Sequence, residues 1–300
     1  MSMGAVSPER YGRRAFLVRS GVIGAAIALV DVPTLLEPTR TGAAGPSLAE
    51  LAPVFDALSK DTMNGLVAFV VPGPDLYSLA QGVHDTAPGG LAADGSDFML
   101  NALDNFYPVP QEPLLLLVQA LATGISSNLP AVKLPPILQE LADELDKVLQ
   151  VLLTGETTVP LSLLVALLLN FVATFIDATA LNGEFLSPFS RLSFKQKTQA
   201  FQLMETEAAD IAASIDSKIT EPVRASISGL IEFLAGALLE FSAFGSFSEF
   251  GAFDPATRTL TGTPVGWTQS SYLALAPDKR PVEGWDEFKG YLGGETQASE

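Results

Sequence analysis

Apolar residues recur at steps of three and four along most of residues 45–300, and this spacing predicts α-helices. The most regular stretch is 134–152, where leucines and valine line one side and charged, mostly acidic, residues line the other. Similar amphipathic patterns cover 194–215 and 222–241. Helices with one apolar stripe bury it against each other. The pattern therefore predicts an all-α protein, a multi-helix bundle, with β-structure limited to short pairs near the C-terminus.

Shorter elements are predicted between these helices. Helical spacing begins at Ser47, resumes over 63–70 after Asp61, and recurs over 75–81, 96–105 and 111–123. Residues 82–96 are rich in Gly, Ala, Asp and Pro, and residues 254–300 are polar and turn-rich. We therefore expect a loop over 82–96 and a largely irregular, aromatic-rich C-terminal segment over 254–300.

The stretch 160–176 is apolar nearly all round, which is typical of either a membrane span or a buried central helix. Its length of about 25 Å as a helix is short of the roughly 30 Å hydrocarbon core. Basic residues, which mark the cytoplasmic side of a span, are distant. Small and polar side chains also follow one side: Ser162, Ala166, Asn170, Thr174 and Asp177. These features favour a buried helix that packs closely against another helix.

The N-terminal segment contains an arginine pair, Arg13 and Arg14, followed one residue later by Phe16 and Leu17. This pattern resembles the twin-arginine export signal, and an apolar stretch at 21–30 and small residues at 41–45 follow it. The resemblance implies a signal peptide and linker over 1–44 and a single helical domain over 45–300. It also implies recognition by the twin-arginine translocase and export of the folded protein across the cytoplasmic membrane.

Composition excludes several kinds of site. The chain has no cysteine and one histidine, His84, which removes thiolate chemistry, iron–sulfur clusters and Cys-rich zinc sites. It also lacks the glycine-rich loops that cradle nucleotide phosphates. The formal net charge of −17 disfavours nucleic acid as a partner and anionic lipid as a surface. We therefore expect no catalytic residues, cofactor or metal in this chain.

Five phenylalanines recur every third residue from Phe241 to Phe253. They predict either an aromatic platform for a partner or quinone-like ligand, or a set of rings that seals the end of the bundle. Both tryptophans lie further on, and aromatic residues and Arg are favoured interface anchors. The candidate interface residues are Phe244, Phe247, Phe250, Arg258, Trp267, Tyr272, Trp285 and Tyr291. Ordinary packing of the C-terminal segment against the bundle is the alternative.

Two segments carry a family resemblance: Leu-Ser-Phe-Lys-Gln-Lys at 192–197, and Phe-Asp-Pro-Ala-Thr-Arg at 253–258, which continues to residue 291. They resemble the small, signal-bearing third subunit of gluconate 2-dehydrogenase-type enzymes, relatives of which accompany glucose-methanol-choline type flavin oxidoreductases. The resemblance covers roughly residues 185–293 together with the export signal. It implies a non-catalytic α-helical accessory subunit that binds a flavoprotein large subunit lacking its own signal and escorts it through the export channel. FAD would then belong to the partner subunit.

A second hypothesis remains open. The leucine-rich helices and the phenylalanine array are also typical of an exported helical carrier for a lipid or another apolar ligand. An enzyme that uses only carboxylates is disfavoured, because acidic pairs on amphipathic helices are most simply solvated.

Overall fold

The computed structural model describes residues 48–106, 116–117, 160–181, 183–215 and 220–270. Within these ranges the helices are α1 (Leu48–Val70), α2 (Leu76–Ala80), α3 (Gly95–Asn105), α4 (Leu161–Ile176), α5 (Phe194–Thr206), α6 (Ala208–Ile215), α7 (Val223–Phe247) and α8 (Val265–Ser270). Short 3₁₀ helices span Gly90–Ala93, Ala178–Leu181 and Phe250–Ala252. Strands β1 (Phe253–Asp254) and β2 (Thr259–Leu260) pair antiparallel, with Phe253 opposite Leu260. The predicted all-α class is confirmed.

Helix α1 is continuous where the sequence pattern predicted two helices separated near Asp61. The prediction of a break was wrong because the polar groups there find partners without interrupting the helix. Thr62 donates its hydroxyl to the Leu58 carbonyl at 2.7 Å, and the buried Asp61 carboxylate accepts hydrogen bonds from outside the helix. As a result α1 runs through the core and contacts α2, α3, α4 and α7.

Helix α4 is buried along its length from Leu161 to Thr174, against α1, α3 and α5. Its predicted polar stripe makes interhelical contacts, and the prediction of close packing is confirmed. Asn170 donates to Thr62 Oγ1 of α1 at 3.1 Å. At the N-terminus, Asp104 of α3 accepts from both the backbone N–H and the hydroxyl of Ser162 at 2.8 Å. Asp104 therefore supplies the cap that Pro160, at the N-cap position, does not.

The predicted helix over 194–215 is instead two helices, α5 and α6, which meet at Glu207. Periodicity did not indicate the break, because the buried row of Phe201, Met204, Ala208 and Ile211 continues across it. The backbone N–H of Glu207 donates to the Leu203 carbonyl at the end of α5, and the Glu207 carbonyl accepts from the backbone N–H of Ile211 in α6. The predicted capping box at the start of α5 is confirmed.

Helix α7 extends to Phe247, six residues beyond the predicted end, so the phenylalanine array begins inside the helix. The apolar row predicted for this helix is buried: Ile227, Leu230, Ile231, Leu234 and Leu238. Val223–Ala252 is the one segment, among the described residues, that is long and apolar enough to span a membrane by length and composition. Its most apolar window has a mean hydropathy of 1.6 and is 44% buried in the fold. Core helices of soluble proteins pass the same test.

Two regions expected to be irregular are more ordered. Within 82–96, Gly90–Ala93 forms a 3₁₀ helix and α3 begins at Gly95. Within 254–270, the chain forms the β1–β2 hairpin and α8. Several predictions lie outside the described residues: the export signal at Arg13, Arg14, Phe16 and Leu17, the helices over 134–152 and most of 111–123, and the aromatic residues Tyr272, Trp285 and Tyr291.

Candidate functional site

An exposed aromatic surface lies where α7 ends. We use this name for Phe244, Phe247, Phe250 and Phe253, which keep 64%, 46%, 39% and 47% of their area accessible. The last turn of α7, the following 3₁₀ helix and β1 supply one or two rings each. Large apolar side chains clustered at this level of exposure are typical of a site that contacts another molecule. The remaining ring of the array, Phe241, packs against the core, so the interpretation of rings that seal the end of the bundle fits Phe241 better than these four side chains.

The aromatic surface rests on Phe98 of α3. Its ring centroid lies 5.8 Å from that of Phe244 and 5.4 Å from that of Phe250, the second pair being edge-to-face. Helix α7 admits Phe98 because Gly245 lies beneath it, where a Cβ atom would overlap the ring. The rings on α7 and on the 3₁₀ helix are therefore positioned by one partly buried side chain.

The hairpin and α8 border the aromatic surface. The Asp254 carboxylate accepts from the backbone N–H of Ala256 at 2.9 Å and from the Thr257 hydroxyl at 2.8 Å. The bond from Thr257, together with the bond from Ala256, lowers the pKa of Asp254. This closed turn holds Arg258 exposed at a φ of 56°. Trp267 of α8 is half-buried. Gly266 lets α8 pack closely against the backbone of Phe247. A Cβ atom on residue 266 would lie 2.8 Å from the Phe247 Cα.

A buried polar cluster lies deeper in the fold, and we name it the Asp61 cluster. The Asp61 carboxylate accepts from the Tyr77 hydroxyl at 2.7 Å and from the Ser187 backbone N–H at 2.8 Å. Asn170 Oδ1 accepts from the Ser187 hydroxyl at 2.5 Å and from the Phe189 backbone N–H at 3.0 Å. Burial raises the pKa of Asp61, although the hydrogen bonds from Tyr77 and Ser187 lower it in part. Burial, with the bond to Asp61, also raises the pKa of Tyr77. The cluster ties α1, α2 and α4 to the segment before α5.

Lys197 of α5 is fully buried beside this cluster. Its Nζ donates at 2.9 Å to the Gly65 carbonyl and to Gln81 Oε1, and lies 5.4 Å from the centre of the Phe189 ring. Burial lowers the pKa of Lys197 to about 7, although Asp75 and Asp61 raise it in part. Both hydrogen-bond acceptors are neutral, so the ammonium crosslinks α1, α5 and the end of α2 without an ion pair to either of them.

Two cavities in the described part of the chain have volumes of about 160 and 180 Å³, whereas pockets for drug-sized ligands hold about 300–1,000 Å³. One lies between the Gly90–Ala93 helix and the residues before α8, and the other at the N-terminus of α4. Among the described residues there is also no group of three or more His, Asp or Glu side chains placed to hold a metal ion.

The comparisons with known proteins supply no relative. No family model, no curated protein and no solved structure matches this chain.

The structure brings together four of the residues predicted from sequence: Phe244, Phe247, Phe250 and Arg258 all lie within or beside the aromatic surface. Phe253, which is not among the predicted interface residues, also belongs to it. Sequence reasoning missed Asp61, Tyr77 and Lys197. For Lys197 a signal existed, because it precedes Phe201 by four residues and so lies on the buried stripe of α5.

Proposed function

We propose that this chain is a non-catalytic, exported accessory subunit that binds a flavin-dependent dehydrogenase and carries it through the twin-arginine translocase. The observation that carries the proposal is the exposed aromatic surface on a well-packed scaffold. Aromatic side chains contribute large contact area at small entropic cost, and they dominate the energetics of protein interfaces. The family resemblance of the segments at 192–197 and 253–258 supports the same function.

The two resembling segments have defined positions in the fold. Ser193 and Gln196 form the capping box of α5, and Lys197 is the buried crosslink to α1. The second segment forms β1 and the turn that presents Arg258 beside the aromatic surface. The first segment therefore supports the scaffold and the second borders the proposed interface. The carrier hypothesis would need a cavity larger than the two that lie near α8 and at the N-terminus of α4.

Co-export tests the proposal. The full chain is produced together with a glucose-methanol-choline type dehydrogenase that has no signal of its own. Exported FAD-bound enzyme is then measured outside the cytoplasmic membrane. Without this chain, the dehydrogenase should remain inside. If the dehydrogenase is exported to the same level without this chain, the proposal is wrong.

The double variant Phe244→Ser, Phe250→Ser should reach the exterior itself but leave the dehydrogenase behind. A hot spot of this type contributes about 2 kcal/mol or more to binding. The matched control is Leu76→Ser with Leu79→Ser, which removes two exposed apolar side chains from α2. Retention of co-export in the phenylalanine variant would show that the aromatic surface is not the interface.

The double variant Arg13→Lys, Arg14→Lys should stop export of both proteins while their complex still forms in the cytoplasm. A lysine ammonium does not reproduce the planar guanidinium that the translocase is expected to recognise. Unchanged delivery of this variant to the exterior would contradict the assignment of the signal.

A further inference from the structure

Four carboxylates lie near the rings of the aromatic surface, most of them as close neighbours along the chain. Glu240 is exposed on α7 one turn before Phe244, and Glu249 is exposed between Phe247 and Phe250. The Asp94 carboxylate lies beside Gly251, with Oδ2 3.3 Å from the position of a Cβ atom there. Asp254 follows Phe253 in β1. We name these four side chains the acidic rim.

Basic groups compensate the acidic rim only in part among the described residues. Arg258 is exposed in the turn between β1 and β2. Lys60 of α1 forms a short ion pair with Asp97, next to Phe98, so its charge is already matched. The border of the aromatic surface is therefore net negative, in a chain whose formal charge is −17.

From this pattern we infer that the aromatic surface binds a protein whose matching surface is apolar with a basic rim; the inference rests on the proposed function and specifies its partner. Arginine and lysine placed opposite the acidic rim would steer the encounter and fix the orientation of the complex. Opposite charges accelerate association and disfavour partners of the wrong sign.

The same charges argue against two other occupants. In a symmetric dimer the same patch from two copies meets itself, which would bring carboxylates opposite carboxylates. Anionic lipid headgroups would likewise be repelled by the acidic rim, although α7 is apolar enough to suggest a membrane. A heterologous, basic-rimmed protein surface is the occupant whose charge complements this site.

Two helical peptides of about 20 residues test the inference. Both carry the same Leu and Trp stripe, one with flanking Arg and the other with flanking Glu. Their dissociation constants for the full chain are measured by fluorescence anisotropy at low and high salt. The Arg peptide should bind at least about tenfold more tightly, and the preference should shrink at salt concentrations that shorten the screening length to a few ångströms. Phe244→Ser with Phe250→Ser should weaken both peptides.

A matched pair of variants separates the effect of the acidic rim on peptide preference from the effect of the net charge of the chain. Glu240→Lys with Glu249→Lys should abolish or reverse the preference for the Arg peptide. Glu205→Lys with Glu207→Lys makes the same change of charge at exposed positions at the end of α5 and should preserve it. Equal effects of the two variants would overturn the inference. So would equal binding of both peptides, a homodimer that Phe244→Ser dissociates, or stronger binding of anionic vesicles than of the Arg peptide.

Failure of this inference is distinguishable from failure of the proposed function. If co-export of the dehydrogenase is lost in the phenylalanine variant but both charge variants behave alike, the function stands and the basic-rimmed partner surface is wrong. If the peptide preference maps to the acidic rim but the dehydrogenase is never exported, the partner chemistry stands and the escort function is wrong.

Discussion

The burial of Lys197 predicts that the protein becomes more stable as the solution becomes alkaline. Lys197 is fully buried, and the two acceptors of its hydrogen bonds, the Gly65 carbonyl and Gln81 Oε1, are neutral. The pKa is therefore lowered to about 7, from an ordinary value of 10.5. Between these values the unfolded chain holds a proton that the folded chain has released. Unfolding takes up that proton, so the free energy of unfolding rises with pH.

The magnitude follows from one proton. Its linkage corresponds to about 1.4 kcal/mol per pH unit, and between about pH 7.5 and about pH 9.5 the free energy of unfolding should rise by about 2.5 kcal/mol from Lys197 alone. Tyr77 sets the upper limit of the test. Its pKa is raised by burial and by its bond to Asp61, so its contribution to stability is present below about pH 10 and is lost above it.

Urea unfolding followed by far-UV circular dichroism measures this slope. Lys197→Met keeps the length of the side chain but removes the charge, so the rise attributed to Lys197 should disappear. The variant leaves Gln81 Oε1 without this donor, which lowers stability by a similar amount at every pH and leaves the slope as the informative quantity. Lys195→Met is the control, since Lys195 is exposed on the same helix. If Lys197→Met and the natural protein rise equally, the reasoning about a buried, deprotonating lysine is refuted.

Two further variants test the packing of the scaffold by urea unfolding. Gly65→Ala should lower the free energy of unfolding by about 1–3 kcal/mol, because the new Cβ would lie 2.8 Å from the Ser190 Cα and closer still to the Ser190 hydroxyl. In the control Gly229→Ala the new Cβ meets nothing within 4 Å, and the free energy of unfolding should rise by up to about 1 kcal/mol. Equal losses of stability in the two variants would contradict the close contact at Gly65. Asp104→Ala should lower the free energy of unfolding by about 0.5–2 kcal/mol, since it removes the cap of α4, and an unchanged midpoint would show that another group satisfies Ser162.

The parts of the fold that could be predicted from sequence are those that local periodicity controls. The apolar run of α4, with Asn170 among its polar residues, is a local pattern that predicts a buried helix. The capping box of α5 and the buried row of α7 are likewise local patterns. In each case the residues that decide the structure lie within two or three turns of one another, so one segment contains the whole signal.

The features that could not be predicted depend on partners far along the chain. Asp61 is a poor helix former and suggested a break, but Ser187, 126 residues away, pairs with its carboxylate. The crosslink from Lys197 to the Gly65 carbonyl spans 132 residues. For the aromatic surface, spacing identified the phenylalanines but not their exposure. That exposure depends on where α3, the hairpin and α8 contact α7, and such contacts have no local pattern in sequence.

The buried polar groups and the aromatic surface belong to one scaffold, because α1 contacts the helices that carry each of them. Through the Asp61 cluster and Lys197, α1 is joined to α2, α4 and α5. On another side it contacts α3 and α7, which carry Phe98 and the first rings of the aromatic surface. Rings held in this way lose little further freedom when a partner binds, so more of their contact energy remains as affinity. The proposed escort function requires a surface that is organised before binding, because the partner would have to be captured in the cytoplasm before the export of a folded complex.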